Sequence, residues 1–336
     1  DGTGTVNAAI VGIADGETFC FAPGTYRFTD PVDFRDLEGL TVRGTGATRA
    51  EVVLDFSWET GGAKGLTFTA VNDLLLENLT VLDAPGDNIF ATGSMGVTFR
   101  NVSSGWVTRM PSGRYALYPV QSTNVLLDDV EAFGSSDAGI YVGQATNCIV
   151  RNSEAHGNVA GIEIENSTNC EVVGNTAHDN SGGILVFELP GLPQHGSGTL
   201  VHDNVVTGND TPNFGEPGTT VAAIPAGTGI MLLAANDVEV TGNTVTGNAA
   251  TGIFVVSYET VTLVGGEPSM DPTYEPFSEN IWIHGNTWSG NGSAPPASIQ
   301  DVLDLLGVTT LEDIIWDGFL APGDNEDTLC IGETGS

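Results

Sequence analysis

The chain has 336 residues, 45 of them Gly, and its 43 Asp and Glu stand against nine Lys and Arg, a formal net charge of −34. Such a surface repels nucleic acid and anionic membrane at range, and repels an acidic glycan too unless calcium or a local basic cleft intervenes. No stretch approaches the roughly 20 apolar residues of a membrane helix, and there is no Gly-rich phosphate loop, Ser nucleophile elbow or Cys-x-x-Cys.

The chain begins abruptly at Asp1, and a mature fragment whose leader has been removed is one explanation of that start. Residues 1–30 read as an entry cap, with a short strand closed by the Pro23-Gly24 turn. Brief alternating runs follow: Leu40-Thr41-Val42, Val52-Val53-Leu54, Leu66-Thr67-Phe68 and Leu74-Leu75-Leu76. Period-2 runs this short are strands, not helices.

Between residues 146 and 188 one unit is written twice. Asn147-Cys148 returns as Asn169-Cys170, Ala155-His156 as Ala177-His178, and Gly161-Ile162 as Gly183-Ile184, each after 22 residues. A unit this short cannot bury a core alone and must stack on its copies. The Gly-Ile pair also occurs at Gly139-Ile140, Gly229-Ile230 and Gly252-Ile253. Two Asn series recur with it, Asn175, Asn204, Asn243 and Asn286, and Asn158, Asn180, Asn209, Asn248 and Asn291. Asn tolerates left-handed turns, and stacked amides bond along a stack. The pattern predicts an all-β fold: a right-handed, single-stranded parallel β-helix of about ten turns.

Four insertions, 103–114, 188–198, 210–226 and 257–278, interrupt the rhythm where function usually sits. In the tail, Ser298 caps an expected helix through Ile299 to Leu306, and a second is expected from Thr310. Residues 1–292 thus form the helix with its N-terminal cap, and 293–336 a short helical C-terminal cap, within a single domain. Cys148 and Cys170 occupy equivalent inward positions and are expected as buried thiols, although stacked turns leave a disulfide within reach. Cys20 and Cys330 pair only if the tail folds back.

Registering the Gly-Ile strands sends Ile140, Ile162 and Ile184 inward. Tyr118, Tyr141, Glu163 and Leu185 then form one outer column, and Val120, Gly143, Glu165 and Phe187 the next. Gln121, Gln144, Asn166 and Glu188 stand at the strand ends. Rings and fixed polar groups on one face suit a sugar. Glu163 and Glu165, two apart on one strand, have the spacing of a glycosidase acid–base pair, or stand as solvated surface acids. Asp137, Glu163 and Glu165 also offer clustered oxygens to Ca²⁺. Trp106 and Arg109, in the first insertion, join the face together with Arg114. Arg114 either orients a sugar or pairs with Asp137 on the next turn. His156 and His178 read as a surface ladder and His195 as a lone loop histidine.

The face of Tyr118, Tyr141, Gln144, Phe187 and Glu188, walled by Trp106 and Arg109, is therefore a candidate carbohydrate site. Glu163, Glu165 and Arg114 are the candidate catalytic groups of a lyase, hydrolase or epimerase. The run Arg114-Tyr115-Ala116-Leu117-Tyr118-Pro119-Val120-Gln121, with 136–144, 159–167, 182–193, 209–214 and 224–229, resembles the extracytoplasmic parallel β-helix repeat proteins of Gram-negative bacteria. These are often lipoproteins encoded beside a dihaem c-type cytochrome. The resemblance implies a pectate-lyase-like fold and a place in the periplasm, on the outer membrane or outside the cell. It implies no assigned activity. It also raises an alternative, a non-enzymatic envelope protein that docks a c-type cytochrome through its acidic surface.

Overall fold

A computed structural model describes residues 3–263, 266–300, 303–304, 307–323 and 328–332. After an N-terminal helix at Thr3–Ile10 the chain winds into stacked coils. One rung of each coil enters a ten-stranded parallel sheet. Its strands are β1 (Val32–Glu38), β2 (Lys64–Asn72), β3 (Asp87–Thr92), β4 (Tyr115–Val120), β5 (Ala138–Gly143), β6 (Ala160–Glu165), β7 (Gly182–Phe187), β8 (Thr228–Leu233), β9 (Thr251–Val256) and β10 (Ile314–Trp316). The remaining rungs build an eighteen-stranded sheet that wraps the other sides. Successive rungs pair in parallel, and Ile140, Ile162, Ile184, Ile230 and Ile253 align in one column, fully buried. The expected architecture and column register are those observed.

The Gly-Ile repeat and the second Asn series explain each other. A Cβ on Gly161 would lie 2.6 Å from the carbonyl of Gly183 and 2.8 Å from Asn180 Nδ2; one on Gly139 would lie 2.6 Å from Asn158 Nδ2. The amide of the buried Asn fills the volume a side chain would take. Each amide then bridges two coils: Asn180 Nδ2 donates to Ala155 O and Asn209 Oδ1, both at 2.9 Å, while its Oδ1 accepts from Asn158 N and Nδ2, both at 3.0 Å. The first Asn series does the same from Asn175 to Asn286. These ladders satisfy backbone groups that the turns would otherwise strand inside.

Three expectations change. Cys148 and Cys170 are joined by a disulfide, because facing positions on adjacent rungs put their Cα atoms 4.5 Å apart. Cys20 and Cys330 are free and exposed, one on a strand at the entry of the stack and the other on a strand at its exit. In the tail, a 3-10 turn at Ala297–Ile299 and helical Gln300, Leu303 and Asp304 stand where the first helix was expected; residues 301, 302, 305 and 306 lie outside the described set. No helix starts at Thr310. Residues 311–313 lead into β10, which pairs with β9, and Leu329–Gly332 pairs with Glu279–His284, so hydrophobic alternation continues the stack into the tail.

Candidate functional site

The outer face of the ten-stranded sheet carries the predicted columns. Tyr141 faces Glu163, and Glu163 faces Leu185; Gly143, Glu165 and Phe187 follow in register. Register also brings up residues outside the expected set. Tyr118 lies opposite Phe90, and Tyr115 and Lys64 both lie opposite Asp87. The face has two regions.

The open region spans β2–β4. Tyr115, Tyr118 and Tyr141 form a ring cluster with centroids 4.3–4.9 Å apart, and Phe90 lies 5.2 Å from Tyr118. Lys64 Nζ stands 2.9 Å from the Phe90 centroid and 3.5 Å from Asp87 Oδ2. Lys64 is the one Lys in the chain. Arg114 is exposed and leans over Tyr115 at 5.4 Å. Its expected ion pair with Asp137 does not form: Arg114 makes no salt bridge among the described residues, and the charge that acts on it most strongly is Asp87, with Asp137 contributing less. Burial lowers the Lys64 pKa against the opposing pull of Asp87, and burial raises that of Asp87, whose Oδ1 has no hydrogen-bond partner.

The covered region spans β5–β7. Glu163 is 2% exposed and Glu165 9%, so neither is a solvated surface acid. The insertion at 210–226 lies over them: Val221 and Ile224 pack into one buried cluster with Tyr141, Leu185 and Phe187. Tyr141 donates to Glu165 Oε1 at 2.5 Å, and Gln144 Nε2 lies 3.2 Å from the same oxygen. Burial raises the Glu165 pKa to about 7 and that of Asp137 to about 6, and lifts Glu163 well above the carboxylate range with help from Glu165 and Asp137. Glu163 Oε2 has no partner. Asp137, Glu163 and Glu165 thus share a field. Among the described residues, however, no group of three or more His, Cys, Asp or Glu converges as a metal cage would.

Four candidates are committed elsewhere. Trp106 packs in the main core and donates Nε1 to Ala84 O at 2.8 Å. Arg109 clamps loops by donating to the carbonyls of Phe56, Ser57, Asp83 and Glu59. An insertion this close to the helix turns its large side chains inward rather than toward the face. Phe187 is buried beneath the 210–226 insertion. Glu188 is held by His195 Nδ1 at 2.6 Å and by the Gly196 N–H at 2.6 Å, fastening the 188–198 loop; His195 is therefore a loop staple. His156 and His178 do stack, with ring centroids 5.3 Å apart. The signal for Tyr115, Phe90 and Lys64 is the strand register one, two and three turns before Tyr141.

Residues 64–216 match the family profile described as right handed beta helix region. A search of curated proteins finds no match. Among solved structures, the A-module of Azotobacter vinelandii mannuronan C-5 epimerase AlgE4 is similar, with TM-score 0.64 and 18% identity over 99% of this chain and 91% of that one. The A-module of A. vinelandii AlgE6, also a mannuronan C-5 epimerase, gives 0.53 and 17% over 100% and 97%. The pectate lyase Pel9A gives 0.50 and 16% over 85% and 64%. At these identities the likeness defines the fold: a right-handed parallel β-helix.

Proposed function

We propose that this is an extracytoplasmic β-helix that binds an acidic glycan on the outer face of β2–β6 and acts on it by proton transfer beside a sugar carboxylate. The carrying observation is the placement of Lys64 and Arg114. In a chain of net charge −34, these two cations stand together on an aromatic floor, one of them without a salt bridge. They supply the local basic cleft that an anionic polymer needs. Tyr115, Tyr118 and Phe90 offer ring faces to sugar C–H groups. Carboxylic acids that hold protons near neutrality donate to a sugar carboxylate instead of repelling it. The similar structures are named as epimerases of mannuronan and a lyase of pectate, which supports this class. The disulfide supports an oxidising compartment.

In this reading a base removes the proton alpha to the sugar carboxylate, and the electron pair moves into that carboxylate. Return of a proton on the opposite face gives the epimer; loss of the glycosidic oxygen gives an unsaturated lyase product. Glu163 and Glu165 reach the sugar when the 210–226 insertion swings aside. The test is a panel of oligomannuronate, oligogalacturonate and a neutral glucan, followed by calorimetric binding and by proton NMR in D₂O. Uronate binding lost in Lys64→Ala with Arg114→Ala, and turnover lost with binding kept in Glu163→Gln or Glu165→Gln, are the expected results. Equal binding of the neutral glucan removes the charge argument, and absence of any glycan binding removes the site. Calcium is not invoked at Asp137, Glu163 and Glu165, because these acids are raised toward their protonated forms and, among the described residues, no three of them converge on one point. Binding unchanged by a chelator assigns recognition to Lys64 and Arg114 alone.

A second reading rests on a separate observation. Six of the nine basic side chains are tied into salt bridges, so the surface field is acidic nearly everywhere outside the candidate site. Such a field steers a basic partner, and a c-type cytochrome fits that chemistry. A pull-down that weakens steeply with salt is the expected result; salt-insensitive or absent association counts against it.

A further inference from the structure

We propose that Tyr141 and Gln144 are positioning residues that divide the covered acid pair into a base, Glu165, and an acid, Glu163. The inference rests on the glycan-processing reading for its chemistry, though not for its geometry.

The direction of the protons follows from the donors. Gln144 Nε2 can only donate, and it lies 3.1 Å from the Tyr141 oxygen and 3.2 Å from Glu165 Oε1. With its oxygen accepting from Gln144, Tyr141 is left to donate its own proton to Glu165 Oε1, at 2.5 Å. Two donors therefore converge on one oxygen of Glu165, and both favour its ionised form. Glu163 receives neither. It lies two residues earlier on the same face of β6, in deeper burial, with Oε2 unpartnered. Its surroundings carry no positive charge: Tyr141 opposite on β5, Glu165 beside it, Asp137 just before β5, and Leu185 on β7. The other titratable neighbours of the pair are Tyr115 and Tyr118 on β4, and Glu216 of the 210–226 insertion, which acts on Asp137. Among the described residues no basic side chain pairs with either Glu.

Two carboxyls in unlike surroundings split into acid and base by environment alone. Glu165 accepts the proton that leaves the sugar carbon, and Glu163 releases its own to the departing oxygen or to the opposite face of the carbon. One proton enters the pair and one leaves it. The next cycle starts when the proton passes from Glu165 to Glu163, so no other reactant is consumed.

The test is a ¹³C NMR titration of glutamate side-chain carboxyls in the full chain, assigned with Glu163→Gln and Glu165→Gln. Glu165 is expected to ionise at lower pH than Glu163. In Tyr141→Phe and Gln144→Met, which keep the packing, its midpoint is expected to move up toward that of Glu163. Equal midpoints, or a Glu165 midpoint that neither variant moves, overturn the division. The acid limb of the activity profile is expected to follow the NMR shift, and Glu165→Gln to lower kcat by roughly 10²–10⁴-fold. If no glycan is turned over, the function reading fails and the titration still decides the division. If turnover is lost in Glu165→Gln while the midpoints are equal, the division fails and the function reading stands.

Discussion

Asn180 shows how much one side chain carries in this fold. It is fully buried and makes four hydrogen bonds, two donated and two accepted, linking the coils before and after its own. Removing a buried partner leaves unsatisfied groups, each costing about 1–3 kcal/mol. Asn180→Ala strands the Asn158 backbone N–H and the Ala155 carbonyl at once, so a loss of roughly 3–5 kcal/mol is expected by urea denaturation. Gly161→Ala probes the same contact from the other side, since the new Cβ has no room beside that amide. A loss below about 1 kcal/mol in Asn180→Ala would show that water replaces the ladder. At this scale the sequence was readable where residue types repeat, as in the Gly-Ile and Asn series. It was unreadable where a side chain had a choice of direction. Trp106 and Arg109 sit in an insertion without periodicity, so nothing in their spacing said that they turn inward.

Among the strands of the larger sheet, a second regularity links elements. Glu131, Glu154, Glu171 and Glu239 each lie one coil earlier, two residues short of the position facing a histidine. They meet His156 at 3.5 Å and His178, His202 and His284 at 2.9 Å each. Asp179 and Asp203 add a second carboxylate to His178 and His202, and Arg49 and Ser103 also hold Glu131. Burial opposes charging of His178 and His202, yet the hydrogen-bonded carboxylates win and their pKa values are raised. A raised histidine pKa contributes stability that is complete below the unfolded value and is lost as pH rises through the folded one. The acids of the candidate site act in the same direction. Glu165 and Asp137 hold protons up to about 7 and about 6, so their ionisation costs the native state stability as pH rises from the unfolded carboxylate range through those values. Glu131 opposes them at the acid end: pulled down to about 2 by His156 against burial, it contributes fully above the ordinary glutamate range and loses that contribution as pH falls through its folded value. Thermal midpoints are therefore expected to peak on the mildly acid side and to fall through neutrality. His178→Asn with His202→Asn should flatten the neutral part of that fall, and an unchanged slope would remove the histidine pairs from the account.

For the molecule as a whole, the fold was legible because a solenoid writes its period into the text, and the outer columns followed from that period alone. The cover over β5–β7 was not legible. An insertion reveals its length, and nothing in residues 210–226 fixes where Val221 and Ile224 land. Strand alternation alone therefore puts Asp137, Glu163, Glu165 and Glu188 on an open face, although all four are buried. Charge is the remaining property of the whole chain, and it sets up a contest. The salt bridges weaken as ionic strength rises, but exposed pairs are worth only about 0–1 kcal/mol each. Against them stands the mutual repulsion of a −34 chain, which disfavours the compact state and extends about 10 Å at 0.1 M salt but only about 3 Å at 1 M. Because acids outnumber the paired cations severalfold, repulsion dominates. Sodium chloride is therefore expected to raise the thermal midpoint steadily, most at alkaline pH, where His178 and His202 have lost their positive charge beside carboxylates that keep theirs and the covered acids have ionised. Calorimetric melts across a salt series at two pH values decide it. A midpoint that falls with salt would mean that the local pairs, rather than the net charge, govern the stability of the stack.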